Sequence, residues 1–193
     1  MGIDPQGLVA KGSIRDVAAG GDNALALLNA RVLVLCDRSG SMAEEARARK
    51  ARYELEDDIV ERLQAKYPGQ VALAAFADVA YLCPTGKLPP PGGNTNMLDA
   101  FRVAVPLANA GLRIILVTDG EPSHDETEVI RAAASLKGKM DCIFVGPELS
   151  AGADFCKRLA ASVGGSHSEA DLKRGPELLE QSLTRLLLTA GAK

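Results

Sequence analysis

The chain reads as a doubly wound α/β domain of three layers, with a mostly parallel six-stranded sheet between helices and one short antiparallel edge strand. Three observations point there. Apolar runs at residues 31–36, 70–76, 112–117 and 142–145 lack polar alternation, as strands covered on both faces do. Stretches of helical composition separate most of them, as βαβ crossovers require. Two of the runs end in acidic residues, Asp37 and Asp119, and strand carboxyl ends are where such sheets bind ligands. A chain of 193 residues with 47% hydrophobic and 24% charged residues has the composition of one ordinary globular domain.

Taken in order, residues 1–29 form an N-terminal arm, with a short helix capped by Asp22 or Asn23, and residues 30–190 form the domain. The first strand spans Arg31 to Cys36. From Ala43 to Lys66 there is no Gly or Pro, and Ala, Glu, Arg and Leu dominate, which predicts one long helix. Tyr53, Leu55, Ile59, Val60 and Leu63 give it an apolar stripe, and its charges from Glu44 to Asp58 read as a solvated face. Pro68-Gly69 breaks it. Gln70 to Phe76 is the second strand, and Ala80 to Cys83 a short antiparallel third one at the sheet edge. A Pro-rich loop follows, and Asn94-Thr95-Asn96 caps a helix from Met97 to Ala108. Leu112 to Val117 is the fourth strand. A helix from about Asp125 to Lys137, a strand at Cys142 to Val145, a helix at Asp154 to Ser162, an edge strand near Ser166-His167 and a last helix at Pro176 to Leu188 complete the domain.

Several function classes are excluded by composition. Net charge is −3 with no basic block and 4% aromatics, which argues against nucleic acid as a partner. The most apolar window, Ala24 to Cys36, is interrupted by Asn29 and Arg31 and cannot span a bilayer. The N-terminus lacks the pattern of a signal peptide. Cys36, Cys83, Cys142 and Cys156 form no C-x-x-C pair and read as small buried hydrophobes in a reducing compartment. A cytoplasmic protein is expected.

The chemistry gathers at the strand ends. With the first and fourth strands adjacent, Asp37, Ser39, Ser41, Thr95 and Asp119 would share one crevice. Two carboxylates and three hydroxyls, without His or Cys, select Mg²⁺, with Mn²⁺ or Ca²⁺ as alternatives, over zinc. An acidic side chain of a protein partner could complete the shell.

Asp37-x-Ser39-x-Ser41, then Gly92-Gly93-Asn94-Thr95-Asn96, then Val117-Thr118-Asp119-Gly120 resembles the metal-ion-dependent adhesion site (MIDAS) of von Willebrand factor type A (VWA) domains, over residues 30–188. The resemblance implies a Rossmann-like sheet and a non-enzymatic, metal-dependent protein–protein interaction module. Ser39, Ser41 and Thr95 would coordinate the ion most directly, and Asp37 and Asp119 directly or through water. Without a signal peptide or flanking cysteine pair, the chain resembles the stand-alone intracellular bacterial branch. That branch works beside AAA+ ATPases of the MoxR class or in tellurite-resistance-like stress complexes. Arg38 departs from the usual pattern and is expected at the surface, facing solvent or an acidic partner. Asp37→Ala is expected to leave the fold largely intact.

Two rival readings stand beside this one. A Mg²⁺-dependent phosphatase would use Asp37 as nucleophile, but it needs a second Asp where Ser39 stands and a Lys that is not evident. A structural interaction domain would leave the metal site vacant.

Overall fold

The apolar runs are strands buried on both faces. The computed structural model describes residues 29–190, so the expected arm and short helix before residue 29 lie outside the described residues. Strand β1 is Val32–Asp37, every residue of it buried. It pairs in parallel with β4 (Val71–Phe76) on one side and β6 (Arg113–Thr118) on the other. Beyond β6 lie β7 (Met140–Phe144) and then β8 (His167–Glu169), both parallel. Beyond β4 lies β5 (Ala80–Leu82), which is antiparallel. The order β5-β4-β1-β6-β7-β8 confirms the predicted mixed six-stranded sheet.

Strand pleating sends alternate side chains to opposite faces. Leu33, Leu35, Ile114, Leu116 and Phe144 pack toward α2 (Met97–Asn109), α3 (Glu126–Ala133) and α4 (Ala151–Val163) through Phe101, Leu107, Val129, Phe155 and Leu159. Val32, Val34, Cys36, Ile115, Val117 and Ile143 pack toward α1 (Arg52–Lys66) and α5 (Glu177–Ala190) through Leu55, Ile59, Leu63, Leu179 and Leu183. The result is a three-layer sandwich. Helix starts follow local chemistry: the side chains of Asn96, Asp125 and Ser150 accept from backbone N–H groups of the first turns of α2, α3 and α4. Among the described residues, no helix is long and apolar enough to cross a membrane. All four cysteines are free and buried.

The long helix expected from Ala43 does not begin there. Gly40–Ala43 is a 3₁₀ turn. A hairpin follows, made of β2 (Glu45–Arg47) and β3 (Lys50–Ala51), and α1 starts only at Arg52. The hairpin turns on Ala48 and Arg49, both with positive φ (54° and 63°). Propensity lost here because Ala43 to Lys50 holds no large apolar residue. A helix through it would bury nothing, and packing of an apolar face is what stabilises short helices.

Two charges expected on a solvated face are also inside. Glu56 is fully buried and Arg52 is 4% exposed. Arg38, expected at the surface, is 1% exposed. Its guanidinium turns away from the strand tip toward α1. There it bonds Asp57, lies 3.4 Å from Glu56 and sits over the Tyr53 ring. The aliphatic stem of arginine makes such a residue compatible with a covered position once its head is paired.

Candidate metal centre

Three loops meet at the carboxyl ends of β1 and β6, the neighbours at which the sheet reverses its winding. The first loop, after β1, carries Ser39 and Ser41. The second, before α2, carries Thr95. The third, after β6, carries Asp119. Backbone bonds tie the first two: Gly40 N donates to Gly93 O at 3.0 Å, and Gly92 N to Arg38 O at 2.7 Å. The second and third are tied reciprocally. Thr95 N donates to the Ser123 hydroxyl at 2.8 Å, and Ser123 N to Thr95 O at 3.0 Å. Gly93 has a φ of +80°, a conformation that suits glycine, and a Cβ there would lie 2.3 Å from a carboxylate oxygen of Asp78.

The structure brings Ser39, Ser41 and Asp119 into direct contact. Ser39 Oγ and Ser41 Oγ are 3.1 Å apart, and Ser41 Oγ donates to Asp119 Oδ1 at 2.7 Å. Thr95 Oγ1 and Ser41 Oγ flank Gly120, each 3.9 Å from where a Cβ on that residue would stand. Asp37 forms the floor. It is wholly buried, accepting from Ser39 N at 2.8 Å and from the Thr118 hydroxyl at 2.5 Å. Burial, aided by the nearby negative charge of Asp119, pushes its carboxyl up to about 6 against the lowering effect of those hydrogen bonds. These bonds also correct the expectation that Asp37→Ala spares the fold. Removing the carboxylate would leave a buried hydroxyl and amide unpaired.

Thr118, Ser123 and Arg52 belong to the site; Thr118 stood in the motif without a role of its own, and Ser123 and Arg52 were not singled out in the sequence. Thr118 follows from the sheet register: Cys36 pairs with Val117, so the next residues along, Asp37 and Thr118, meet. Arg52 is the first residue of α1. Its Nη1 donates to Asp119 Oδ2 at 2.5 Å and to Ser41 O at 3.0 Å, while Nη2 reaches Glu44 Oε2 at 3.0 Å. His124 and Glu121 are exposed and stand outside this network.

The donor set fits a hard divalent cation. It offers two carboxylates and three hydroxyls on rigidly joined loops, and such oxygen-only sets suit Mg²⁺, Mn²⁺ or Ca²⁺. Among the described residues, no three His, Cys, Asp or Glu side chains gather as a metal cluster, so an ion here would depend on the hydroxyls.

Comparison with solved structures identifies the architecture. A von Willebrand factor type A protein from Catenulispora acidiphila matches with a TM-score of 0.64 at 17% identity, over 84% of this chain and 42% of that one. The chain has the VWA fold. Proximal thread matrix protein 1 from the mussel byssus, in a structure with a zinc-occupied MIDAS motif, matches with a TM-score of 0.59 at 17% identity, over 82% of this chain and 46% of that one. Manganese-loaded TRAP protein from Plasmodium vivax matches with a TM-score of 0.52 at 17% identity, over 80% of this chain and 73% of that one. The chain thus spans less than half the length of the Catenulispora and mussel proteins. At such identities the shared property is the fold. No protein-family model and no curated protein matches the sequence.

Proposed function

We propose that this VWA-fold domain is a metal-dependent protein–protein interaction module. One divalent ion, Mg²⁺ by preference, is held by Ser39, Ser41, Thr95 and Asp119, with the covered Asp37 acting on it through water, and a partner's Asp or Glu completes its coordination. The observation that carries the reading is the meeting of Ser39, Ser41, Thr95 and Asp119, from three loops, above Asp37 at the end of β1. The metal-bearing mussel and Plasmodium structures of the same fold support it. In this site the chain's own groups would supply most of the ion's shell and neutralise its charge. The ion would supply an electrophilic contact for an anionic side chain.

The phosphatase reading finds no support at Asp37, because both its oxygens accept hydrogen bonds and the side chain is fully covered. A nucleophile must reach its substrate. We further propose a cytoplasmic domain that works with an AAA+ ATPase or within a stress-response complex. The motif resemblance supports this, and four free buried cysteines suit a reducing compartment.

The test is ligand-linked stability followed by capture. Mg²⁺ or Mn²⁺ at 100 times its Kd should stabilise the protein by about 2.7 kcal/mol, reversibly with EDTA. Ser41→Ala should abolish that gain. Partner capture with and without EDTA, read by mass spectrometry, then names what binds. A melting temperature indifferent to millimolar Mg²⁺ and Mn²⁺ refutes the metal reading.

A further inference from the structure

We propose that Arg52 is a built-in counter-cation of the metal centre, one that weakens the hold on a divalent ion and strengthens the bound ion's attraction for a partner's carboxylate. This inference rests on the metal reading above and concerns how that site is tuned.

Three observations carry it. First, Arg52 is delivered to the centre by a special piece of backbone. The β2–β3 hairpin, with its two left-handed residues, ends at Ala51, so Arg52 opens α1 beside the two metal loops. Second, the side chain is 4% exposed and its guanidinium joins both loops, through Ser41 O on one and Asp119 Oδ2 on the other. A guanidinium stays charged at any physiological pH. Third, Asp119 is already supplied with donors on each oxygen, Ser41 Oγ on Oδ1 and Arg52 Nη1 on Oδ2.

The charges then decide the consequence. Asp37 and Asp119 as carboxylates would neutralise a divalent ion by themselves. Arg52 adds a buried positive charge beside the ion, and the carboxylate that answers it, Glu44 on Nη2, is 63% exposed and screened by solvent, so the ion-loaded centre presents a positive local field. An ion entering a site that already contains a cation is bound less tightly, and the loaded site attracts an anion more strongly. The two affinities are set against each other by one residue. A purely structural role for Arg52 would not move them in opposite directions.

The experiment uses the full chain and four proteins: wild type, Arg52→Gln, Arg52→Lys and Ser41→Ala. Mn²⁺ alone is titrated by calorimetry, then acetate is titrated into Mn²⁺-saturated protein. Metal-free melting checks that each variant is folded. Arg52→Gln should bind Mn²⁺ about tenfold more tightly, equal to about 1.4 kcal/mol, and acetate roughly threefold more weakly. Arg52→Lys keeps the charge and should stay within about threefold of wild type on both. If Arg52→Gln does not fold, Arg52→Met carries the same expectation. Mn²⁺ affinity unchanged or weakened in the neutral variant, with Ser41→Ala abolishing binding, overturns the role of Arg52 and leaves the metal reading standing. Absence of Mn²⁺ binding in wild type and every variant overturns both.

Discussion

Replacing Glu56 with Gln should abolish much of the stability loss that the protein undergoes between about pH 5 and pH 8. Glu56 is fully buried, and among the described residues neither of its carboxylate oxygens has a hydrogen-bond partner. Burial pushes its carboxyl up to about 7, and the Arg38 guanidinium 3.4 Å away offsets only part of that rise. In the unfolded chain the same group titrates near its ordinary value of 4.5. Between these two values the folded state keeps a proton that the unfolded state releases. The stability associated with the neutral carboxyl is therefore fully present below about pH 4.5 and is lost as pH rises through about 7. At 1.36 kcal/mol per pH unit the loss is about 3 kcal/mol, or roughly 6–12 °C in melting temperature for a chain of this size. Glutamine has the shape of the neutral carboxyl and does not ionise. Asp37, whose carboxyl is also pushed up to about 6, is common to both proteins, and its repulsion of Glu56 is one of the smaller causes of the raised Glu56 carboxyl. The assay is urea unfolding of wild type and Glu56→Gln in metal-free buffer at several pH values. The stability difference should swing in favour of the variant by about 2–3 kcal/mol from pH 5 to pH 8, the rest of the loss lying below pH 5. Parallel curves would show that Glu56 is already ionised at pH 5, held so by Arg38, and the reasoning would fail.

Other consequences follow from the same contacts. Asp37→Ala should cost about 2–3 kcal/mol in metal-free urea unfolding, because Ser39 N and the Thr118 hydroxyl lose their acceptor. Asp37→Asn, which retains an acceptor, should cost less. Gly93→Ala should destabilise by about 2 kcal/mol and abolish Mn²⁺ binding, since a Cβ at φ +80° would strike Asp78 and displace the loop that carries Thr95. The double change Ala48→Asn with Arg49→Gly should stabilise by about 1 kcal/mol in thermal melts, because two positive-φ residues in a two-residue hairpin loop favour Asn-Gly. A lower melting temperature for that pair would mean the turn conformation is not what limits the hairpin.

The sheet was legible because burial on both faces leaves uninterrupted apolar runs, and Leu112 to Val117 sits within one residue of the strand observed at Arg113–Thr118. The candidate residues could be placed from sequence because Asp37 ends a strand, Ser39, Ser41 and Asp119 lie just beyond strand ends and Thr95 precedes a helix, and their grouping followed from taking the first and fourth strands as neighbours. The hairpin was hidden by strong helix formers whose preference had nothing to pack against. Arg52 and Glu56 were hidden by their charge, although a signal existed. They extend the stripe of Ile59, Val60 and Leu63 at helical spacing, and a charged residue in an apolar stripe marks a buried pair. The direction taken by Arg38 depends on where α1 comes to rest, which no local pattern encodes.

The sheet closes at each rim with a strand of only three residues, β5 on one side and β8 on the other. An unpaired rim is normally a template on which a foreign strand can grow, and short rims deny it the length to do so. The described domain therefore offers little purchase for strand addition, whether by a client peptide or in aggregation. The proposed recruitment through the loop tips would leave the hydrogen-bonded framework untouched, so a complex could form and part without the sheet being opened.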